Sequence, residues 1–177
     1  MISPHWTPPL VPINSCEPFG QYENRLYDIF RQDFITSNPV FQGMRVSVRR
    51  KKEESDGKWA GFVHITSMTD KDSGERIPDF PRCEHIRFPR QVIEHYDDCP
   101  ECHYSVCEKP LVWWSQRSHK DRIHILLESE RYLVVLEPHA DKGYCMLVTA
   151  YYVDHDHSLR KLLRDYAKAV ESGDSIQ

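Results

Sequence analysis

The chain has 177 residues, which is enough for one full domain and marginal for two. Hydrophobic residues make up 40% of it, no apolar run could cross a membrane, and the N-terminus shows no signal-peptide pattern; we therefore expect a cytoplasmic globular protein with no membrane partner. The formal net charge of −4 argues against a broadly basic, nucleic-acid-coating protein, but it leaves room for a local basic pocket.

The N-terminal part of the chain predicts an arm, a helix and two strands. Residues 1–19 are rich in proline and lack periodicity, which favours an extended arm. Residues 20–36 place apolar side chains on one face at helical spacing and predict an amphipathic helix. Alternating side chains predict strands at 44–51 and 58–66, joined by a turn signal at 53–57.

The remaining elements predict a sheet followed by a final helix. Residues 69–81 are polar and predict a loop. Residues 82–96 predict a strand or extended entry followed by a short helix, with Pro89 near its first turn. An amphipathic helix is predicted at about 158–170. Before it come four strand candidates, at 111–116, 122–129, 132–138 and 143–153.

These elements together predict one α+β domain over residues 20–170. Consecutive strands with short turns favour a twisted antiparallel sheet of about five or six strands, with helices packed on one side. The domain would carry an N-terminal, a middle and a C-terminal helix, and a cysteine-rich insert at about 95–108. Residues 171–177 would form a disordered tail.

His64 is the first candidate for catalysis. It lies in the predicted strand at 58–66, on the same face as Phe62 and Thr66. A histidine beside a loop can act as a general base or acid near neutral pH. The alternative is a half-buried histidine whose hydrogen bond is only structural.

A second set of candidates surrounds the strand predicted at 122–129. Five basic residues lie within eight positions, and alternation places the arginine and histidine of the strand on one face. Arginine binds phosphate oxygens in a fork and stabilises the charge that builds up in a transition state. A solvated polar hairpin is the alternative. The five residues are Arg117, His119, Lys120, Arg122 and His124.

Two further segments offer groups that could bind phosphate. Thr149 and Tyr151 are two residues apart on the last predicted strand, so their hydroxyl groups would lie side by side. Tyr151 could also be an ordinary strand aromatic. Arg82, Arg87 and Arg90 form either a substrate-binding basic edge or a connector held by salt bridges.

The cysteines of the insert favour a structural zinc site. In a cytoplasmic protein, closely spaced thiols indicate a metal more often than disulfides. Zinc could hold the irregular insert together, and four protein ligands would leave no open position for catalysis. A surface loop of free thiols is the alternative. The ligands would be Cys99, Cys102 and Cys107, with Cys83, His95 or His103 as the fourth.

The order of five segments resembles a known group of proteins. The segments are a GFVHIT strand, the connector ERIPDFPRCEHIRFPRQVIEH, a Trp-x-x-x-Arg element ending at Arg117, and the strands YLVVLEP and MLVTAYYV. Over about residues 20–168 they resemble the phage- and plasmid-associated nuclease-like proteins of the barnase–EndoU–colicin–RelE fold group. The resemblance implies a twisted antiparallel sheet and metal-independent RNA cleavage, by attack of a ribose 2′-hydroxyl on the adjacent phosphate.

The resemblance also implies a role for each matching residue. The chain departs from the group at His85, where relatives often have arginine, and in the cysteine-rich insert, which is not typical of them. The implied groups at the phosphate are His64 as general base or acid, Thr149 and Tyr151 as orienting hydroxyls, and Arg117 and Arg122 as neutralising cations.

Two functions from different classes stay open. The first is an endoribonuclease without a catalytic cofactor, acting as a toxin or mobile-element effector, in which His64 and His124 would supply acid–base groups. The second is a non-catalytic module that binds RNA or a protein and contains structural zinc. An inhibitor or partner protein fits either function. A weaker third is a zinc enzyme using His155 and His157, although a polar turn before the last helix explains them more simply.

Overall fold

A seven-stranded sheet forms the centre of the protein. The computed structural model describes residues 3–51, 57–97, 99, 107–117 and 119–176. The strands found within these ranges are β1 (Val40–Phe41), β2 (Met44–Ser47), β3 (Ser67–Thr69), β4 (Arg76–Pro78), β5 (Leu111–Arg117), β6 (Lys120–Leu127), β7 (Tyr132–His139), β8 (Tyr144–Tyr152) and β9 (Ser175–Ile176).

The main sheet has the order β1-β2-β8-β7-β6-β5-β9. Strands β5 to β8 form an antiparallel meander, which confirms the pairing expected for consecutive strands. The sheet is mixed, because β2 runs parallel to β8, and β9 extends it at the edge beside β5. With β1 and β9 it has more strands than the five or six predicted. The pairings of β2 with β8 and of β9 with β5 join segments that are distant in sequence, so local periodicity could not predict them, whereas β1 pairs with β2 across a short turn.

The described residues contain five α-helices, which confirms the α+β class. In the first helix Tyr22, Leu26 and Phe30 are buried at four-residue spacing, and a π-helical turn at Gln32–Thr36 completes the segment predicted as helical. None of the helices described has the length and apolar character needed to cross a bilayer. The five are α1 (Phe19–Arg31), α2 (Ala60–Thr66), α3 (Phe80–Glu84), α4 (Phe88–Glu94) and α5 (Asp156–Ser172).

Helices cover both faces of the sheet, so the prediction of helices on one side was wrong. Helices α1 to α4 share the larger apolar core, in which Phe30, Phe62 and Val92 are buried with Ile123. Helix α5 packs on the opposite face. The physical reason lies in β7, where residues 132–136 are buried in succession. A continuous apolar run of this kind is typical of a strand covered on both faces.

Residues 58–66, predicted as a strand, contain helix α2 instead. Phe62 and Ile65 are buried three positions apart, while His64 is exposed. The β-branched residues of this segment favour a strand locally. Packing of Phe62 against Phe30, with 5.5 Å between ring centroids, outweighs that weak preference.

The predicted loop at 69–81 differs from the structure, whereas the predicted turn at 53–57 stays a prediction. The predicted loop at 69–81 contains part of a hairpin, because β3 and β4 pair antiparallel in a sheet of their own. The turn predicted at 53–57 lies, apart from Gly57, outside the described residues.

The described parts of both termini pack onto the domain. In the arm, Trp6 and Val11 are buried, and the backbone N–H of Val11 donates to the carbonyl of Glu84 at 2.8 Å. Of the segment 171–177, predicted as a disordered tail, the described residues 171–176 complete α5 and form β9 along β5. This correction has a simple cause, since the unpaired backbone groups of an edge strand attract a further strand.

Candidate functional site

A cleft of about 1140 Å³ opens on the sheet face that carries α5. Strands β5 to β8 form its floor, while α5 and the segment from α2 to α3 form its walls. Its size exceeds the roughly 300–1,000 Å³ of ordinary small-molecule sites, which suits a segment of a polymer. The cleft brings together six of the predicted residues, namely His64, Arg82, Arg122, His124, Thr149 and Tyr151.

Two arginines bind the C-terminal end of α2, next to His64. Arg82 donates from Nη1 to the carbonyl of His64 at 3.2 Å, and its Nε lies 3.1 Å from Oδ2 of Asp79. Arg76 donates to Oγ of Ser67 at 2.9 Å and to the Ser67 carbonyl at 3.0 Å. The last carbonyls of a helix lack intrahelical partners and attract cations. The helix end therefore holds two positive charges beside the imidazole.

The surroundings of His64 lower its pKa. Neighbouring protein atoms displace water from the ring and disfavour its charged form, and the charges of Arg76, Arg82 and Arg49 lower the pKa further. The side chain nevertheless remains exposed in the cleft. A lowered pKa keeps His64 neutral at pH 7, which is the form that accepts a proton.

Thr149 and Tyr151 extend the cleft along β8. They lie two residues apart and both line the cleft, as the alternation of the strand predicts. The guanidinium of Arg82 lies 5.2 Å from the centre of the Tyr151 ring and also donates to the backbone carbonyl of His64. Burial raises the pKa of Tyr151, although Arg82 acts in the opposite direction. The phenol is therefore an O–H donor at neutral pH.

His124 is less exposed and contacts β5. Its ring stacks on Trp113, with centroids 4.8 Å apart, and its Nε2 lies 2.8 Å from Oγ of Ser115. Desolvation lowers the pKa of His124 to about 4; Asp165 opposes this shift and Arg122 reinforces it. The ring is neutral at pH 7, so it cannot serve as an imidazolium acid there. It can still orient the Ser115 hydroxyl at the cleft floor.

Arg122 lines the cleft and already has a carboxylate partner. Its Nη1 contacts Oε2 of Glu137, and the two side chains are 16% and 15% exposed. The other oxygen of Glu137 lies 3.5 Å from Nζ of Lys120 and 3.2 Å from Nε2 of His139. Desolvation alone would raise the pKa of Glu137, but the charges of Arg122 and Lys120 hold it below its usual value. A phosphate at Arg122 would share the guanidinium with Glu137, and Lys120 does not line the cleft.

Helix α5 contributes a wall that the sequence did not predict. His157, Lys161 and Asp165 follow each other at four-residue spacing and line the cleft together. Arg76 and Ser115 also line it and were also missed. The four-residue spacing of the side chains on α5 is present in the sequence. No local sequence pattern, however, indicates which part of the protein the polar face of α5 contacts.

Two of the predicted arginines lie outside the cleft, and the side chain of a third is not described. Arg90 pairs with Glu94 at 2.9 Å and donates to the carbonyl of Asp33 at 2.8 Å, so it serves as the salt-bridged connector of the alternative interpretation. Arg87 lines a different cavity, beside α1. Arg117 belongs to β5, and its side chain lies outside the described part of the chain.

The histidines at the start of α5 stack on each other. The rings of His155 and His157 are 5.3 Å apart, and among the described residues they join no group of three metal-binding side chains. The neighbouring Asp156 pairs with Arg131 at 2.8 Å. These contacts favour the polar turn over a zinc enzyme.

Two cysteines of the insert meet a histidine from the arm. The ligand atoms of His5, Cys99 and Cys107 all lie within 4.8 Å of one another. His5 was not predicted as a ligand, because it lies far from the insert in sequence and no spacing rule connects them.

Two predicted zinc ligands lie outside this group. Cys83 donates its thiol hydrogen to the carbonyl of Thr66 at 3.3 Å, and burial raises its pKa to about 12, which disfavours the thiolate that zinc requires. His95 packs against Trp6, with ring centroids 5.3 Å apart. Cys102 and His103 lie outside the described residues.

Comparisons with protein-family models, curated proteins and solved structures find no match. The resemblance based on segment order therefore stays a prediction. Function has to be inferred from the chemistry of the cleft.

Proposed function

We propose that the protein is a metal-independent endoribonuclease that cuts RNA in the cleft described above. The observation that carries the proposal is the shared cleft itself. A neutral histidine, a protonated tyrosine and an arginine line it together from separate segments of the chain, and the arginine contacts the tyrosine ring and the backbone carbonyl of the histidine. These groups are His64, Tyr151 and Arg82.

The reaction would be a transesterification within the RNA strand. His64 accepts the proton of a ribose 2′-hydroxyl, and that oxygen attacks the adjacent phosphorus. The bond from phosphorus to the 5′-oxygen breaks, and the leaving oxygen takes a proton from Tyr151. The products are a 2′,3′-cyclic phosphate and a 5′-hydroxyl. Arg82 and Arg122 stabilise the negative charge that builds up on the phosphate, and Thr149 helps to orient it.

The test is RNA cleavage by the purified protein in the presence of EDTA, with analysis of the product ends. We expect a 2′,3′-cyclic phosphate, and no cleavage where a 2′-deoxynucleotide replaces the attacking ribose. His64→Ala should lower the rate about 10²–10⁴-fold, because it removes the general base. His155→Ala is the matched control, since His155 is exposed and does not line the cleft.

Two outcomes would count against the proposal. One is an equal rate for wild type and His64→Ala on a broad panel of RNAs. The other is cleavage of the 2′-deoxy substrate, which would require a nucleophile other than the ribose hydroxyl.

A second function is favoured by the ion pairs of the cleft. Arg122 pairs with Glu137 and Arg82 pairs with Asp79, so part of the positive charge is already neutralised. This arrangement supports a non-catalytic module that binds RNA or a protein. Measurable RNA binding by wild type, with no cleavage of any RNA in the panel, would favour this module over the nuclease.

We also propose a cellular setting for the nuclease. It would act in the cytoplasm as a toxin or mobile-element effector, with an inhibitor protein as partner. Expression should then slow the growth of the host, and His64→Ala should relieve the effect. Equal toxicity of the two forms would contradict this role.

A further inference from the structure

We propose that His5, Cys99 and Cys107 bind one Zn²⁺ ion, which fastens the N-terminal arm to the loop after α4. None of the three residues lines the cleft, so the proposal does not depend on RNA cleavage. It also differs from the ligand set expected from cysteine spacing, because it brings in His5 and leaves out Cys83.

The distances fit a shared metal ion. The Sγ atoms of Cys99 and Cys107 are 3.4 Å apart, whereas a disulfide bond measures about 2.05 Å. Two thiolates held at about 2.3 Å from one zinc ion lie this far apart at an S–Zn–S angle of about 95°, somewhat below the tetrahedral value. The imidazole of His5 lies within 4.8 Å of both sulfur atoms, so one ion can contact all three ligands with at most a small movement of the arm.

Burial and ligand chemistry favour a soft divalent cation. Cys99 is fully buried and Cys107 is 7% exposed. A divalent ion bound here would compensate the charge of buried thiolate ligands. Sulfur and imidazole nitrogen select zinc over hard cations such as Mg²⁺ or Ca²⁺.

The arm itself contributes a hydrogen bond to one of these sulfurs. The backbone N–H of His5 donates to Sγ of Cys107 at 3.4 Å. A donor of this kind stabilises the negative charge that a zinc-bound thiolate keeps. The backbone of the arm therefore already supplies a hydrogen-bond donor to one of the proposed zinc ligands.

The neighbouring contacts of the arm indicate what the ion would do. Trp6 packs on His95 at the end of α4, and Val11 bonds to Glu84. A zinc ion would add a cross-link between residue 5 and a loop more than ninety positions later in the sequence. Trp6, Val11, Cys99 and Cys107 all belong to the larger apolar core, so removal of the ion should loosen the arm where it packs on that core.

The test measures zinc in the full-length protein, purified without a metal-affinity tag, by mass spectrometry of the metal. We expect about one zinc ion per chain for wild type. His5→Ala should lose zinc to a competing chelator at concentrations at least about tenfold lower than wild type. His5 is exposed, so this variant should fold, and circular dichroism checks that it does.

Two control variants separate the proposed ligand set from the alternatives. Cys83→Ser keeps a donor for the Thr66 carbonyl and should retain zinc. His155→Ala, an exposed histidine outside the cluster, should also retain it. Limited proteolysis is the second measurement. In wild type, the protease should cut the arm faster after zinc has been removed. In His5→Ala, it should cut the arm at that faster rate whether or not a chelator is added.

Three results would overturn the proposal. The first is wild-type protein without zinc after growth and purification with added zinc. The second is a chelator response of His5→Ala equal to that of wild type. The third is loss of zinc in Cys83→Ser, which would assign the ion to the ligand set expected from spacing. RNA cleavage can succeed or fail independently of each of them.

Discussion

Replacing Lys161 by glutamine should weaken RNA binding by a predictable amount. Lys161 is an exposed residue of α5 at the wall of the cleft, and no carboxylate within the described ranges forms an ion pair with it. A lysine that contacts one phosphate of a single strand releases about 0.7 of a counterion. At roughly 0.1 M salt this release is worth about 1 kcal/mol, or about a fivefold change in Kd.

The assay is a fluorescence anisotropy titration of single-stranded RNA at several salt concentrations. It is carried out in a His64→Ala background, so that the RNA stays intact. The slope of log Kd against log salt should fall by about 0.7 for Lys161→Gln. Arg164→Gln removes the same charge one turn further along α5, from an exposed residue outside the cleft, and should leave the slope unchanged. Equal effects of the two variants would mean that RNA does not bind in the cleft.

Two further predictions concern stability. Burial lowers the pKa of His124 to about 4, so below pH 6.5 the unfolded chain binds a proton that the native state does not, and stability falls as the pH drops from 7 to 5. His124→Gln should remove about 2 kcal/mol of that fall in urea unfolding at the two pH values, and an unchanged fall would contradict the shift. Gly61→Ala should destabilise the fold by about 1–3 kcal/mol, because its Cβ would lie 3.0 Å from Cβ of Val48 and 3.1 Å from the Arg49 nitrogen. Gly20→Ala, with no atom within 4 Å of the added Cβ, is the control, and equal thermal melts would show that α2 can move aside.

Local periodicity was sufficient for much of the sheet and for the long helices. Apolar spacing located α1 and α5, and consecutive strands with short turns predicted the meander of β5 to β8. Within that meander, alternation placed Thr149 and Tyr151 on one face, and both line the cleft. These features depend on neighbours a few positions apart, where backbone geometry dictates which side chains share a face.

At helix α2 the local sequence pattern gave the wrong secondary structure. The segment around His64 alternates like a strand, yet Phe62 packs with Phe30 in the core and a helix forms. The cleft nevertheless contains His64, because the residue faces outward from the helix. The identity of the candidate was therefore predictable, whereas the element that carries it was not.

The amino-acid pattern was enough to predict the α+β class, the antiparallel meander and six of the side chains that line the cleft. The tertiary structure alone decided that Glu137 pairs with Arg122, that α5 closes one side of the cleft and that His5 meets Cys99. The physical reason is the range of the interactions. Spacing along a chain encodes contacts within one turn or one pleat, but contacts between distant segments depend on how the whole core packs.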